Sequence, residues 1–442
     1  MKPTVVLGTF DSEAWWRSPN RSMLPSMSSS QAVTMGMDEL LFPLCKEQDI
    51  LFTRQPMDEQ LRSYLSQLGY TFTHVHCRNP VHADDYRMHV FDLLMADASY
   101  YQQLLPQEAL ISPYSILSDT SELVRRFNFG NQFPSLDTVR AVNSKIYSHE
   151  LRQRLGIRNS SFIADSSEEL LTYGLQLLQT GQVLVKDPLG VSGKGNMLIS
   201  GERMLKRIAA YLQEQENRGK QTQFIIEPLF DKTEDFSCQL FITVQGDVQY
   251  ISVQKMVNDA FSYSGSYPAD AGFIEALWNN HYFSIMEEAC KDLFKTGYHG
   301  DVCIDSMLLA SGELVPIVEI NARKSMGLIN HHVNLYVRQY SMFSFLTFIS
   351  AGCSTEVTML HILEALGANK LLFTQENRQG IIPLGANTLF GSGNTAFAEG
   401  ESEWRKGKLY VAAPYTFDVS EAFTLIHQVK DVLKSLAIKI YN

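Results

Sequence analysis

The stretch CIDSMLLASGELVPIVEINARKSMG, residues 303–327, decides how this chain is read. DVCIDSMLL (301–309) and LVPIVEIN (314–321) are apolar, β-branched runs on either side of an SGE turn, so the spacing predicts a β-hairpin. Glu319 and Asn321 are two apart and share one face of their strand, and pairing across the turn brings Asp305 beside them. Three hard oxygen donors at the end of an otherwise apolar hairpin suit Mg2+, which takes a few carboxylates together with phosphate oxygens and water. A solvated strand face is the plainer alternative. It would require the apolar VCI and VPIV runs to leave carboxylates in water at inward-matched positions.

Upstream, VLVKDPLGVSGKGN (183–196) is a strand bearing Lys186 that runs into a loop with Gly190, Gly193 and Gly195. Glycines let backbone N–H groups come close to phosphate oxygens, and a lysine adds a point charge. The spacing is neither that of a Walker loop nor GxGxxG, so a simple hairpin turn stays open on this stretch alone. Between the two signals, QFIIEPL (223–229), CQLFITV (238–244) and VQYISVQ (248–254) read as strands, the last two joined by a QGD turn. NQFPSLDTVRAVNSKIYSHELRQRLGI (131–157) reads as a helical entrance with Ser135 as N-cap.

Taken in order, these elements resemble the ATP-grasp superfamily of carboxylate ligases over roughly residues 135–330. The resemblance rests on Lys145 in the entrance helix with its Asn-x-Lys (Asn143, Lys145), Lys186 before the glycine loop, the strand end IIEPLF (225–230), and IDSM…VEINAR (304–323). It implies ATP and Mg2+ as cofactors. It places the phosphates on Lys145, Lys186 and the loop Gly190, Ser192, Gly193 and Gly195. Adenine and ribose would fall to Glu227, Pro228, Leu229, Phe230 and Asp235, and magnesium to Asp305, Glu319 and Asn321. Lys186 and Arg323 become the catalytic candidates, Arg323 through the family's Asn-x-Arg motif. TEDFSC (233–238) offers two acids, so Glu234 competes with Asp235 for the ribose. Ser325 and Gly327 in the following KSMG are candidates for turning the chain towards the acyl substrate.

The implied fold is α/β (α+β): an N-terminal α/β pre-ATP-grasp domain (1–134), lobe 1 with the glycine loop (135–225), lobe 2 with the magnesium site (226–335) and a C-terminal addition (336–442), the lobes built on antiparallel sheets. TVVLG (4–8), DILFTR (49–54) and YTFTHVH (70–76) supply the strand, helix, strand rhythm of the first domain. SPNRSMLPSMSSS (18–30) reads as a surface loop or a flap, the segment from Gln254 to Gly272 as a loop or substrate-side lid, residues 335–350 as an apolar helix, and Val419 to Leu436 as a last amphipathic helix.

The implied activity is an ATP-dependent carboxylate–amine ligation through an acyl phosphate, on amino-acid or peptide-like substrates of natural-product biosynthesis. The alternatives are transfer of an amino acid to a carrier-protein thiol, as in butirosin-type pathways, and a non-ligating ATP-binding protein or phosphotransferase. The expected partners are small carboxylate and amine substrates, with an acyl carrier protein and a homodimer as further candidates.

Composition agrees with a folded enzyme. The chain has 442 residues, 45% of them apolar and 19% charged, which excludes disorder and coiled coil. A net charge of -11 argues against nucleic acid or an anionic membrane held by bulk electrostatics. Six scattered cysteines without CxxC read as reduced thiols, and the short apolar run before Asp11 is no signal peptide, so the expected location is cytoplasmic. His331 and His332 adjoin the site, but with no HExxH they read as structural. GSGN (391–394) reads as a turn, and no GxSxG elbow supports a serine hydrolase.

Overall fold

The computed structural model describes residues 2–25, 31–78, 88–190, 195–259, 261–391, 395–396 and 404–442. Ser192 and Gly193 of the glycine loop, residues 26–30 of the first loop and 392–394 of GSGN lie outside the described residues.

The N-terminal strands Thr4–Leu7, Ile50–Thr53, Thr73–His76 and Leu110–Pro113 form one sheet, all parallel, in the spatial order third, second, first, fourth. Their apolar runs are covered by helices, as a parallel sheet requires. A four-stranded antiparallel sheet follows, ordered Phe162–Ala164, Phe224–Pro228, Val183–Lys186 and Asn196–Ile199. Everything after it joins one ten-stranded sheet, with the hairpin Gly300–Leu309 and Leu314–Asn321 at one edge, then Lys232–Ile242, Val248–Asp259 and Ser262–Pro268. Phe343–Ser354 and Trp404–Tyr415 continue this sheet, so residues on both sides of position 335 share it.

Three local readings are corrected. Residues 335–350 are not a helix: the helix Met326–Val337 ends there, and Phe343–Ser354 is a strand paired with Trp404–Tyr415 along twelve positions. The 254–272 segment is mostly a paired hairpin rather than a lid; Gly265 fits its strand because a Cβ there would sit 2.7 Å from the Leu346 carbonyl oxygen. The entrance helix is two helices, Leu136–Val142 and Lys145–Arg154, because the Ser144 hydroxyl caps the second by accepting from the Ile146 amide.

Residues 18–25 do not form a free loop. Ser22 donates its amide to Gln221, Lys220 reaches the Pro19 carbonyl, Met23 exchanges bonds with Gln215, and Leu24 is buried in the same cluster as Leu170, Val183 and Ile226. An N-terminal strap thus completes the core of the small antiparallel lobe.

Glu39, in the 3-10 helix Met37–Leu44, is 1% exposed and accepts from the Asn387 amide, tying the first domain to the C-terminal segment. Burial pushes its carboxyl up from 4.5 to about 8, against the pull of the Asn387 and Ala386 amides. The folded chain therefore holds this proton to higher pH than the unfolded chain does. The associated stability is full below about pH 4.5 and lost as pH rises through about 8. Glu39→Gln is expected to shrink the loss of stability between pH 6 and 9 by on the order of 2 kcal/mol, read by denaturant melts of both proteins at both pH values. An equal loss in the two proteins would remove Glu39 as the titrating group.

Candidate functional site

The edge hairpin pairs Asp305 with Glu319 and Cys303 with Asn321, so the three donors share one face. The Asn321 amide donates to Asp305 Oδ2 at 3.1 Å. Burial first, and then the charge of Glu319, push the Asp305 carboxyl up to about 7. One strand over, Asp235 stands opposite Met307, two residues from the Asp305 partner Ser237, and therefore lies on the same face. It accepts from Asn258 Nδ2 at 2.6 Å and adds to the negative field at Asp305. Glu234 turns to the other face, where Lys255 holds it at 3.2 Å while also packing over the Phe273 ring. Strand alternation thus puts Asp235, not Glu234, beside the acidic hairpin.

The entrance helices dock onto the strand that carries Glu319. Asn143 Oδ1 accepts the Ala322 amide at 2.9 Å, and Ser148 Oγ accepts the Ile320 amide at 3.1 Å. That docking aims Lys145, 5% exposed, so that its Nζ donates to Glu319 Oε1 at 2.9 Å and to the Gly190 carbonyl at 2.7 Å. One ammonium links the acidic hairpin to the foot of the glycine loop.

Lys186 and Glu227 lie on neighbouring antiparallel strands of the small lobe, both buried, and form an ion pair with each other. Lys186 is therefore joined to the Glu227 strand end and not to the acidic face. Past Glu227, Pro228 and Phe230 are half-buried, while Leu229 is exposed and donates its amide to Gln182. At the other end of the glycine loop Gly195 has φ +95, and an added Cβ would lie 3.0 Å from Asp187 Cβ, so glycine is required there.

Arg323 is buried rather than at the surface. Its Nε and Nη2 reach Glu13 Oε1 at 2.8 and 2.7 Å, Nη2 also reaches Asn321 Oδ1 at 3.0 Å, and Nη1 reaches the Tyr114 hydroxyl at 3.2 Å. Burial opposes its charge, but the charge and hydrogen bond of Glu13 together with its other neighbours outweigh burial and hold the guanidinium firmly protonated. Glu13 Oε2 is buried without a partner among the described residues. Sequence reasoning missed Glu13, Tyr114 and Arg17. Arg17 grips Asp187, on the same incoming side of the glycine loop as Gly190, through two bonds of 2.7 and 2.8 Å. Nothing local marks these residues, since each acts across more than 160 positions.

Ser325 and Gly327 serve packing. The Ser325 hydroxyl caps the helix Met326–Val337 and donates to Gln239, and Gly327 leaves room for the same glutamine side chain. His331 and His332 are largely buried, and burial lowers both. All six cysteines are free.

The donor set fits a hard divalent cation. Two carboxylates converge on one face, and the field that lifts Asp305 is relieved by added positive charge; Asn321 meets Asp305 through Nδ2 while its Oδ1 accepts from Arg323, so its oxygen joins the set only with the carboxamide turned over. Among the described residues no helix is long and apolar enough to cross a membrane.

No protein-family model matches the chain. A curated relative, the [butirosin acyl-carrier protein]–L-glutamate ligase of Niallia circulans, is 28% identical over 242 residues. The match takes in 53% of this chain and 55% of the relative, so it spans about half the length of each. The solved biotin carboxylase of Campylobacter jejuni, in a β,γ-ATP complex, superposes with a TM-score of 0.54 at 13% identity, covering 100% of this chain and 92% of that one. An N5-carboxyaminoimidazole ribonucleotide synthetase with ADP gives 0.53 at 10% identity, over 98% and 97%. Phosphoribosylamine–glycine ligase of Thermotoga maritima gives 0.52 at 12% identity, over 100% and 97%. At these identities the likeness is one of fold.

Proposed function

We propose that this chain, an ATP-grasp protein by its fold, is an ATP-dependent carboxylate ligase that forms an amide through an acyl phosphate, on amino-acid or peptide-like substrates of natural-product biosynthesis. The observation that carries the reading is the junction of Lys145 with Glu319 and Gly190, because it sets the acidic face, an ammonium and the glycine loop around one space.

Magnesium held by Asp305, Glu319 and Asn321 would neutralise phosphate charge. Lys145 and Lys186, each now resting on a carboxylate, supply the positive charge for the ATP phosphates, together with the loop residues Gly190 to Gly195. The segment Glu227–Phe230 holds adenine, and Asp235 the ribose. The substrate carboxylate attacks the γ-phosphorus and ADP leaves; the acceptor then attacks the acyl carbon, phosphate leaves, and the acceptor proton passes to solvent. Positioning and charge neutralisation account for most of the rate, as in other phosphoryl transfers.

The Niallia circulans relative is named for joining L-glutamate to an acyl-carrier protein, which favours a second reading, a carrier-protein thiol as acceptor. A homodimer and a division of the chain near 134 belong to the same proposal, whereas a boundary at 225 would cut the strand Phe224–Pro228 and one at 335 the ten-stranded sheet. Phosphate release is the test, with ATP, a panel of amino acids, and hydroxylamine or a carrier thiol as acceptor. Release that needs both a carboxylate and an acceptor supports a ligase. ADP formation that needs a single phosphoryl acceptor and releases no free phosphate would make the chain a phosphotransferase.

Lys186→Ala is expected to weaken ATP binding by about tenfold or more, the value of one charge-assisted contact, measured by calorimetric titration with magnesium. An unchanged affinity would leave Lys186 a structural partner of Glu227.

A further inference from the structure

The N-terminal strap and the entrance helices line a cavity of about 400 Å³ that is open to solvent on one side. It lies on the opposite side of the entrance helix from the acidic hairpin. Lys145 sends its side chain to Glu319, whereas its neighbours Ser144, Ile146 and Tyr147 line the cavity. Trp16, Pro188 and Leu189 supply apolar wall.

The charges facing this space do not cancel. Arg17 and Asp187 satisfy each other. Glu150, half exposed, is 3.9 Å from Arg154. Arg21 rests on the uncharged Gln223, and Arg140 has no ion pair among the described residues, its Nε buried without a hydrogen-bond partner. The helix Lys145–Arg154 starts at this wall and adds the positive end of its dipole, while its first two amides already donate to the Pro188 carbonyl and the Ser144 hydroxyl.

We propose that this cavity binds a small organic phosphate ester, its phosphate on Arg140 and Arg21 near the helix N-terminus and its organic body against Trp16 and Leu189. Phosphate is the anion that matches two guanidinium forks and a helix end together, and the volume exceeds what a bare ion needs. Occupancy would bear on the glycine loop. Arg17, within the same wall, holds Asp187 and the Leu189 carbonyl at the foot of that loop, so a phosphate that draws on Arg17 loosens the foot.

The test titrates the full chain with phenyl phosphate, and separately with inorganic phosphate, while saturating MgADP occupies any nucleotide site. Saturable binding of phenyl phosphate in the presence of MgADP, weakened about tenfold or more by Arg140→Gln, is the expected result. Arg21→Gln gives the same reading should Arg140→Gln fail to fold. Stronger binding of phenyl phosphate than of inorganic phosphate assigns the apolar wall. Absence of binding, loss of binding on adding MgADP, equal binding of the two probes, or binding indifferent to both substitutions would overturn the proposal. MgADP affinity, measured in the same cell, separates this outcome from failure of the ligase reading.

Discussion

Glu319→Gln is expected to bring ATP-dependent phosphate release down by more than ~10²-fold, the loss of one preorganised charge contact or greater, while the melting curve stays near that of the parent. Glutamine retains an acceptor for Lys145 Nζ, so the docking of the entrance helix survives, but the carboxylate opposite Asp305 is gone. Asn321→Ala removes a neutral donor from the same face and leaves Arg323 Nη2 with Glu13 alone. The measurement is phosphate release at saturating magnesium beside a thermal melt of each variant. Near-parental turnover in both variants would remove the metal assignment.

Arg323→Lys is expected to lower kcat by ~10²-fold with little change in ATP affinity. The guanidinium serves Glu13, Asn321 and Tyr114 at once, which fixes its fork beside a proposed metal residue. A lysine ammonium has neither the planar fork nor the span to keep those partners and still face a phosphate. Steady-state kinetics set beside an ATP titration decide the matter. If kcat were unchanged, or if ATP affinity alone fell, Arg323 would belong to the nucleotide site or to the join between domains. Glu13→Gln offers an independent reading, because it weakens the hold on the arginine without altering the arginine itself.

The parts of this site that were legible in the sequence are those written in short spacings. Asp305, Glu319 and Asn321 fall on one hairpin, Lys186 precedes its loop by a few residues, and strand alternation alone puts Glu319 and Asn321 together. Glu13 and Arg17 were illegible because their partners, Arg323 and Asp187, lie 310 and 170 positions away in the sequence. Phe343–Ser354 was misread because a strand between two neighbours, largely buried, shows no alternation of apolar and polar residues and resembles a core helix. SYSGSYP, within the segment read as a loop or substrate-side lid, is a strand whose glycine answers to a close approach of the neighbouring backbone.

The strap formed by residues 18–25 also sets a timetable for synthesis. Met23 meets Gln215 across 192 residues of chain. At ribosomal rates of about 5–20 residues per second, Leu24 waits on the order of 10–40 s before the lobe whose core it completes has been made. During that interval an apolar side chain and several amides of the nascent polypeptide stand without their partners, open to chaperones and to neighbouring chains. The small lobe for its part must capture the strap before its own interior closes, a contact of high sequence separation that adds loop-closure entropy to the folding barrier. Removal of the first 25 residues should therefore reach beyond the N-terminal domain and leave the lobe that follows residue 160 with an open flank.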